Sequence, residues 1–444
     1  AGIHEQLVTE LAKIQDLNII ARTTMLRYSD SPPPIPDIAS ELRVETVMEG
    51  SVRYAGDQVR VTAQLIDGRT GVHLWTEDFD GDLTDIFGIQ SAIATLIANA
   101  LEAELTPEEQ QGLERQLTSS PQALALYLGA ISVTDTDSAI PVLEEATRID
   151  SEFAAAYGLL AFYQAVSING FFSISPDDGP RMVREAQSNA RQALFLDPSL
   201  GVAHAALGAI HLANWRAQDA EDSLRLAIEL SPSAVGVAQM YARFKRHRRE
   251  YGEAIELMER VVELDPNNAA RQQNLGVAYR YAGDYDRAVV AFLDGLNLEP
   301  SSVSLTVNLA IAEAGRGDFD KAIQALQRAE ILAGSDQGLE TFRIPQMARI
   351  YSIVGRPDDA MRLFSVLQER ASRQPIGEAV WAAAYSAIGD HETALRHLDV
   401  ALDERLPTDA AMLGQLAANV FVDPVIETDP RYRERLGRLW DDEG

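Results

Sequence analysis

Two rhythms of apolar and polar residues divide the chain. In its first quarter Val59, Val61, Ala63 and Leu65 alternate with Arg60, Thr62 and Gln64, the period-two pattern of a half-buried strand. Three such runs are expected, Val44–Tyr54, Gln58–Asp67 and Val72–Phe79. The segments between them, Ala55-Gly56-Asp57 and Gly68–Gly71, carry hairpin turn chemistry. Ahead of this block AGIHEQLVTELAKIQ reads as an amphipathic helix and Leu17–Arg22 as a short strand. Ser31–Pro36 reads as a proline-rich loop and 36–42 as a helix; a helix over 83–104 closes the unit.

From residue 119 onward the spacing becomes helical and repeats. Asn274-Leu275-Gly276-Val277-Ala278-Tyr279 is followed by Gly283-Asp284-Tyr285, Ala288, Phe292, Gly295 and Pro300. One period of 34 residues downstream lie Leu309, Ala310, Gly317-Asp318-Phe319, Ala322, Leu326 and Ala329; one period upstream lie Ala242, Tyr251-Gly252, Ala254, Met258, Val261 and Pro266. A further step back gives Leu207, Gly208, Ala220, Leu224, Ala227 and Pro232. Small residues let two helices approach, larger ones fill the space between them, and glycine and proline end the helices. Looser units precede (122–150 and 153–198, with an insertion near Asn169–Pro180), and two follow, around Tyr351 and Tyr385. The pattern resembles the tetratricopeptide repeat. That resemblance implies about eight stacked helix pairs in a right-handed α-solenoid, with 405–444 as C-terminal cap.

The first block resembles the TolB-N-terminal-like α/β domain of bacterial membrane-anchored regulators. The matching residues are Met48-Glu49-Gly50-Ser51-Val52-Arg53, Val59 to Asp67, His73-Leu74-Trp75-Thr76-Glu77 and Asp85-Ile86-Phe87, with Asp429-Pro430-Arg431-Tyr432 as a family-like tail. A first strand of the Val-Leu-Pro-Phe kind, which relatives place before the opening helix, is missing. The fold class expected is therefore α+β: a small α/β domain (1–118), an all-α tetratricopeptide-repeat array (119–404) and a capping segment (405–444). Relatives carry an adenylate-cyclase or winged-helix module and a membrane helix on the N-terminal side. The resemblance thus implies a longer, membrane-anchored bacterial protein, periplasmic or membrane-associated, with a cytoplasmic location as the alternative.

Composition narrows the chemistry. The net charge is −29 over 444 residues, and Lys13, Lys245 and Lys321 are the lysines. So acidic a surface repels phosphate backbones, which argues against general nucleic-acid binding. Cysteine is absent, which removes disulfides, thiol catalysis and Cys-based metal sites. No run approaches the ~18 apolar residues of a membrane span. Seven histidines (4, 73, 204, 211, 247, 391, 397) show no metal spacing, even though His204 and His211 share a helix face. Asp78, Asp80, Asp82 and Asp85 resemble part of a calcium loop but lack its twelfth-position glutamate; helix capping by Asp82 or Thr84 is the plainer account. Nucleophile elbows, Walker loops and dinucleotide fingerprints are absent as well. No enzyme activity, cofactor or metal is expected.

What stands out is a basic run in an acidic chain: Arg243, Lys245, Arg246, His247, Arg248 and Arg249. On the register of the repeats, the groove-facing positions of the first helices are Gln239, Arg243, Arg246, His247, Gln273, Asn274, Arg280, Tyr281 and Asn308, joined by Arg349 of the following unit. Asn274 and Asn308 stand where peptide-clamping relatives hold an asparagine, but the clamp's lysine pair is missing. The expected partner is a protein or extended peptide, acidic where it touches the arginines. The bland alternative pairs those arginines with Asp and Glu of neighbouring repeats. A permanent structural subunit, or the regulatory part of a cyclase or transcription regulator, are the alternative functions, and homo-oligomerisation stays open.

Overall fold

The alternating segment forms a three-stranded antiparallel sheet, β1 (Thr46–Ala55), β2 (Gln58–Asp67) and β3 (His73–Asp82), with β2 in the centre. Thr46 faces Asp67 across the first pair and Gln58 faces Asp82 across the second, with an irregularity between Leu65 and Ile66. The second turn is fixed by Asp67, whose carboxylate accepts from the Thr70 amide at 2.7 Å and the Arg69 amide at 3.1 Å; Gly71 supplies a φ of +70°. One face of β2 is polar, with Arg60 bidentate on Asp80 (2.5 and 2.7 Å) and Thr62 on Asp78 (2.6 Å). These contacts, made across the sheet, are what Asp78 and Asp80 do; among the described residues no cluster suits a metal ion.

The other face, Val59, Val61 and Ala63, is buried with Ile89, Ile93 and Ile97 of helix α3 and with Leu7, Leu11, Ile14 and Leu17 from the start of the chain. Here α1 is Arg22–Met25, α2 is Ile35–Leu42 and α3 is Ile86–Ala100, which ends before the residue 104 expected; residues 83–85 lie outside the described residues. The computed structural model describes residues 7–8, 10–29, 32–55, 58–82, 86–101, 103, 105–106, 110, 117–132, 136–170, 179–334, 339–404 and 429–431. His4, Gly56-Asp57, Asp85, most of the 169–180 insertion and all of the 405–444 cap except Asp429–Arg431 lie outside the described residues.

Among the described residues sixteen helices follow in eight pairs: α4 and α5 (Pro121–Ser132, Thr136–Ile149), α6 and α7 (Ala154–Gly170, Gly179–Leu196), α8 and α9 (Gly201–Ala213, Ala217–Leu230), α10 and α11 (Val235–His247, Tyr251–Leu264), α12 and α13 (Ala269–Tyr281, Tyr285–Leu298), α14 and α15 (Val303–Gly315, Phe319–Ala333), α16 and α17 (Arg343–Ile353, Pro357–Ala371), and α18 and α19 (Glu378–Ala387, His391–Glu404). First helices begin at 201, 235, 269 and 303, so the 34-residue period is a period of structure. Within each of these four pairs a small residue of the first helix meets a large one of the second. A Cβ on Gly208 would lie 2.5 Å from Leu224, and one on Gly276 would lie 2.5 Å from Phe292. The equivalent positions in the other two units are Ala242 with Met258 and Ala310 with Leu326, all buried. The left-handed turn position also recurs, at Gly283 and Gly317 (φ +78° and +87°), and, at the same register, at Trp215 and Arg249 (φ +62° each). A side chain there costs roughly 1 kcal/mol, so in these two units packing overrides local preference.

One expected element is different. Residues 17–21 do not enter the sheet; they run as an extended strap along the repeats and lead into α1. Their backbone partners come from the turns after α9 and α11. Ser233 Oγ donates to the Leu17 carbonyl at 2.8 Å, and the Ala21 amide donates to the Leu264 carbonyl at 2.7 Å. The strap ends on Asp265, which is 0% exposed. Its carboxylate accepts from the hydroxyls of Thr23 (2.5 Å) and Thr24 (2.9 Å), from Asn268 Nδ2 (2.9 Å) and from Arg271 Nε (3.1 Å). Removing one member of a buried charged pair typically costs ~3–5 kcal/mol. Asp265→Ala is accordingly expected to lower the urea-unfolding free energy by about 3 kcal/mol and to speed tryptic cleavage at Arg22 and Arg27, with the strap released. Unchanged stability and cleavage would show that Asp265 does not hold it.

Candidate binding groove

Because the units repeat at a fixed period, equal positions of α10, α12 and α14 stack along one surface. Gln239 and Gln273 are one period apart, as are Arg246 and Arg280, His247 and Tyr281, and Asn274 and Asn308. They line one cavity of about 190 Å³. Arg243 joins them, so nine of the ten residues expected at a groove meet there. Arg349 is not among the lining residues. Its helix, α16, contributes Phe342 (its N-cap), Arg343 and Gln346 instead, and Met258 comes from α11. α16 starts 40 residues after α14 rather than 34, a slip that hides which of its side chains share the groove face. Arg343 and Gln346 are three apart and lie on one side of the helix, while Arg349 is a further three on and rotates away.

The basic run splits into two chemistries. Lys245 is 5% exposed and ion-paired with Glu221 (2.6 Å), Glu250 (2.6 Å) and Glu253 (3.0 Å). Burial alone would lower its pKa, but the hydrogen bonds it donates to Glu221 and Glu250 win and raise it. Arg248 pairs with Glu250. Arg243 and Arg246 stand in no ion pair among the described residues, and Arg246 Nε is buried without a hydrogen-bond partner. For these two the pairing alternative fails.

Arg280 and Arg343 are deeper, at 5% and 6% exposure. Burial, with repulsion from Arg246, pushes the Arg243 guanidinium down to about 9; burial, opposed by Tyr281 and reinforced by Arg246 and Arg343, pushes Arg280 down to about 10. Arg343 is lowered by burial too, although Glu340 opposes it. The Tyr281 ring lies beneath Arg246 and Arg280, at 4.8 and 5.3 Å from its centroid, an arrangement that fixes guanidinium planes. Polar neighbours brace the walls: Gln239 accepts from Arg271, Gln273 accepts from Ser304 Oγ at 2.7 Å, and Asn308 donates to the Ser304 carbonyl at 3.1 Å. Asn308 therefore spends one donor on its own helix. The cavity is a desolvated concentration of positive charge with aromatic and amide walls, and such a surface attracts anions.

His204 lies 2.9 Å from the Pro198 carbonyl, and His397 stacks on Tyr385 and meets Glu378 at 2.5 Å.

A groove on the first helices of 34-residue helix pairs defines a tetratricopeptide-type solenoid, the class of fold used by protein-interaction scaffolds. Residues 274–337 match the family model described as tetratricopeptide repeat. Among curated proteins, putative adenylate cyclase 3 of Rhizobium meliloti (strain 1021) is 34% identical over 205 residues, 45% of this chain and 34% of that protein. The chain thus spans about a third of that relative's length. Similar solved structures include one reported as a functional characterization of Pseudomonas aeruginosa pilF (TM-score 0.37, 19% identity, 51% of this chain and 99% of that one). Others are PilW, a type IV pilus biogenesis factor (0.38, 17%, 44% and 89%), and YrrB, a repeat protein with an unusual peptide-binding site (0.32, 19%, 43% and 91%). No helix among the described residues is long and apolar enough to cross a membrane.

His247 gives the groove a pH signature. Burial first, then Arg246 and Arg243, hold its pKa well below the ordinary imidazole value; burial also lowers His211. The unfolded chain protonates these groups near pH ~6.5 while the folded one does not, so stability falls as pH drops below that point. The urea midpoint is expected to fall between pH 7.5 and 5.5, with His247→Gln flattening the slope by up to about 1 kcal/mol per pH unit. An equal slope in the variant would remove His247 as a cause.

Proposed function

We propose that this chain is a non-catalytic recognition module whose concave groove, between Gln239 and Gln346, holds an acidic, extended segment of a protein partner. One observation carries the reading. In a chain of net charge −29, Arg243 and Arg246 face a cavity where, among the described residues, no carboxylate neutralises them. Leaving cations desolvated and unpaired costs stability, and a cost retained in a groove is the mark of a binding surface.

A fluorescein-labelled hexaglutamate peptide tests it, because the rest of the surface repels such a probe. Saturable binding that weakens with salt is expected, together with a loss of at least about tenfold in Arg243→Gln/Arg246→Gln. Circular dichroism of the variant should stay helical. Absence of binding, or equal binding by the variant, overturns the groove assignment.

A second reading concerns the larger setting. On it, residues 1–118 form a TolB-N-terminal-like domain, 119–404 the repeat array and 405–444 a cap. Together they would form the sensory part of a longer bacterial regulator, periplasmic or membrane-associated. The 34% identity to a protein named as an adenylate cyclase favours this, as does the Met48–Asp67 resemblance. Any cyclase activity would belong to a part of that protein other than this chain. Protease digestion of intact and permeabilised cells, followed with an antibody to the array, tests the location. Cleavage restricted to cells with a permeabilised outer membrane is expected, and cleavage only after the inner membrane is opened places the array in the cytoplasm.

A further inference from the structure

The cavity is too small for a stretch of peptide. Sites that enclose drug-sized ligands run to roughly 300–1,000 Å³, against about 190 Å³ here. What fits is one compact terminal group, with whatever carries it lying in the groove outside. The wall chemistry then limits that group. Arg243, Arg246, Arg280 and Arg343 line one space, and Glu340, an acidic partner of Arg343, is itself 55% exposed. A single carboxylate brings one negative charge and two acceptor oxygens. A phosphoryl group brings about −1.5 to −2 charges and three acceptor oxygens, enough to engage three guanidinium forks. The buried Arg246 Nε, a donor without an acceptor, and the ring of Tyr281 that sets the planes of Arg246 and Arg280 suit a compact polyanion entering between them.

We propose that the cavity is a phosphoryl-binding pocket: the groove takes a ligand bearing a phosphate group, which seats among Arg243, Arg246 and Arg280 with Tyr281 behind it. This rests on the groove reading above and sharpens it from an acidic partner to a phosphate-bearing one. The site is unlike a nucleic-acid surface. It is a small pocket with room for one phosphate, and the acidic exterior repels a continuous phosphate backbone.

Two sources present the same chemistry, free inorganic phosphate and a phosphorylated side chain. Isothermal titration of the full chain at constant ionic strength separates them, with inorganic phosphate, N-acetyl-O-phosphoserine amide, N-acetylglutamate amide and acetate as probes. Both phosphates are expected to bind at least about tenfold more tightly than the glutamate amide and acetate. Arg246→Gln and Arg243→Gln should each lose about tenfold, and phosphorus-31 resonances should broaden with the wild-type chain alone. Should the phosphoserine amide bind more tightly than inorganic phosphate, a phosphorylated chain is the source; the reverse order assigns the pocket to the free anion. Either order supports the proposal.

Phosphates that bind no better than the glutamate amide overturn it. So does phosphate affinity that survives in both variants. If phosphate fails while hexaglutamate binds with arginine dependence, this proposal falls and the groove reading stands. If hexaglutamate fails as well, both fall.

Discussion

The array depends on one steric constraint, the close approach of two helices at positions 208, 242, 276 and 310. Glycine or alanine stands at each, and Leu224, Met258, Phe292 or Leu326 fills the space opposite. At Gly276 even a methyl group would sit 2.5 Å from the Phe292 ring, and overpacking of that kind usually costs ~1–3 kcal/mol. Since the contact recurs every 34 residues, each helix pair has nearly the same internal geometry, and successive pairs repeat nearly the same step. That identity of step brings residues one period apart onto a common surface. The groove is thus a consequence of the packing within each helix pair, and one such contact, Ala242 with Met258, itself lines it.

The same logic explains how much could be read in advance. Repeats with an unbroken period disclosed their pairing, and nine groove residues could be placed from Gln239 to Asn308 without coordinates. Where the period slips, legibility stops. The 40-residue step to α16 concealed Arg343 and Gln346 and favoured Arg349 in their place. Leu17–Arg22 misled for another reason. Its apolar residues have strand-like character, but its hydrogen-bond partners are Ser233 and Leu264, more than two hundred residues away, and local pattern carries no information about that pairing. Trp215 and Arg249 show the converse, a recurrent left-handed turn kept by tertiary packing where the residue type argues against it.

Within the basic run, neighbouring residues meet opposite electrostatic fates because successive positions on a helix face different ways. Lys245 points toward the second helices and finds three glutamates. Arg246, one residue on, points into the groove and finds Tyr281, Arg243 and Arg280. No count of charges distinguishes them; the helical period does. Lys245 stabilises the junction between α9, α10 and α11, whereas Arg243 and Arg246 repel each other and weaken the folded state until an anion joins them.

A chain of hydrogen bonds joins the groove to the α/β domain. Thr23 and Thr24 of α1, where the strap ends, donate to Asp265, Asp265 accepts from Arg271, and Arg271 donates to Gln239 in the cavity wall. Asp265 is fully buried, so water does not substitute for a lost partner there, and a broken bond leaves a buried charge under-satisfied. A ligand that draws Gln239 toward itself competes directly with Arg271. Whatever Arg271 then gains or loses falls on the carboxylate that anchors the strap. Energetic coupling needs a chain of contacts in which each member has something to lose. This one runs from the groove to the segment that leads into the sheet through side chains that are buried or partly buried.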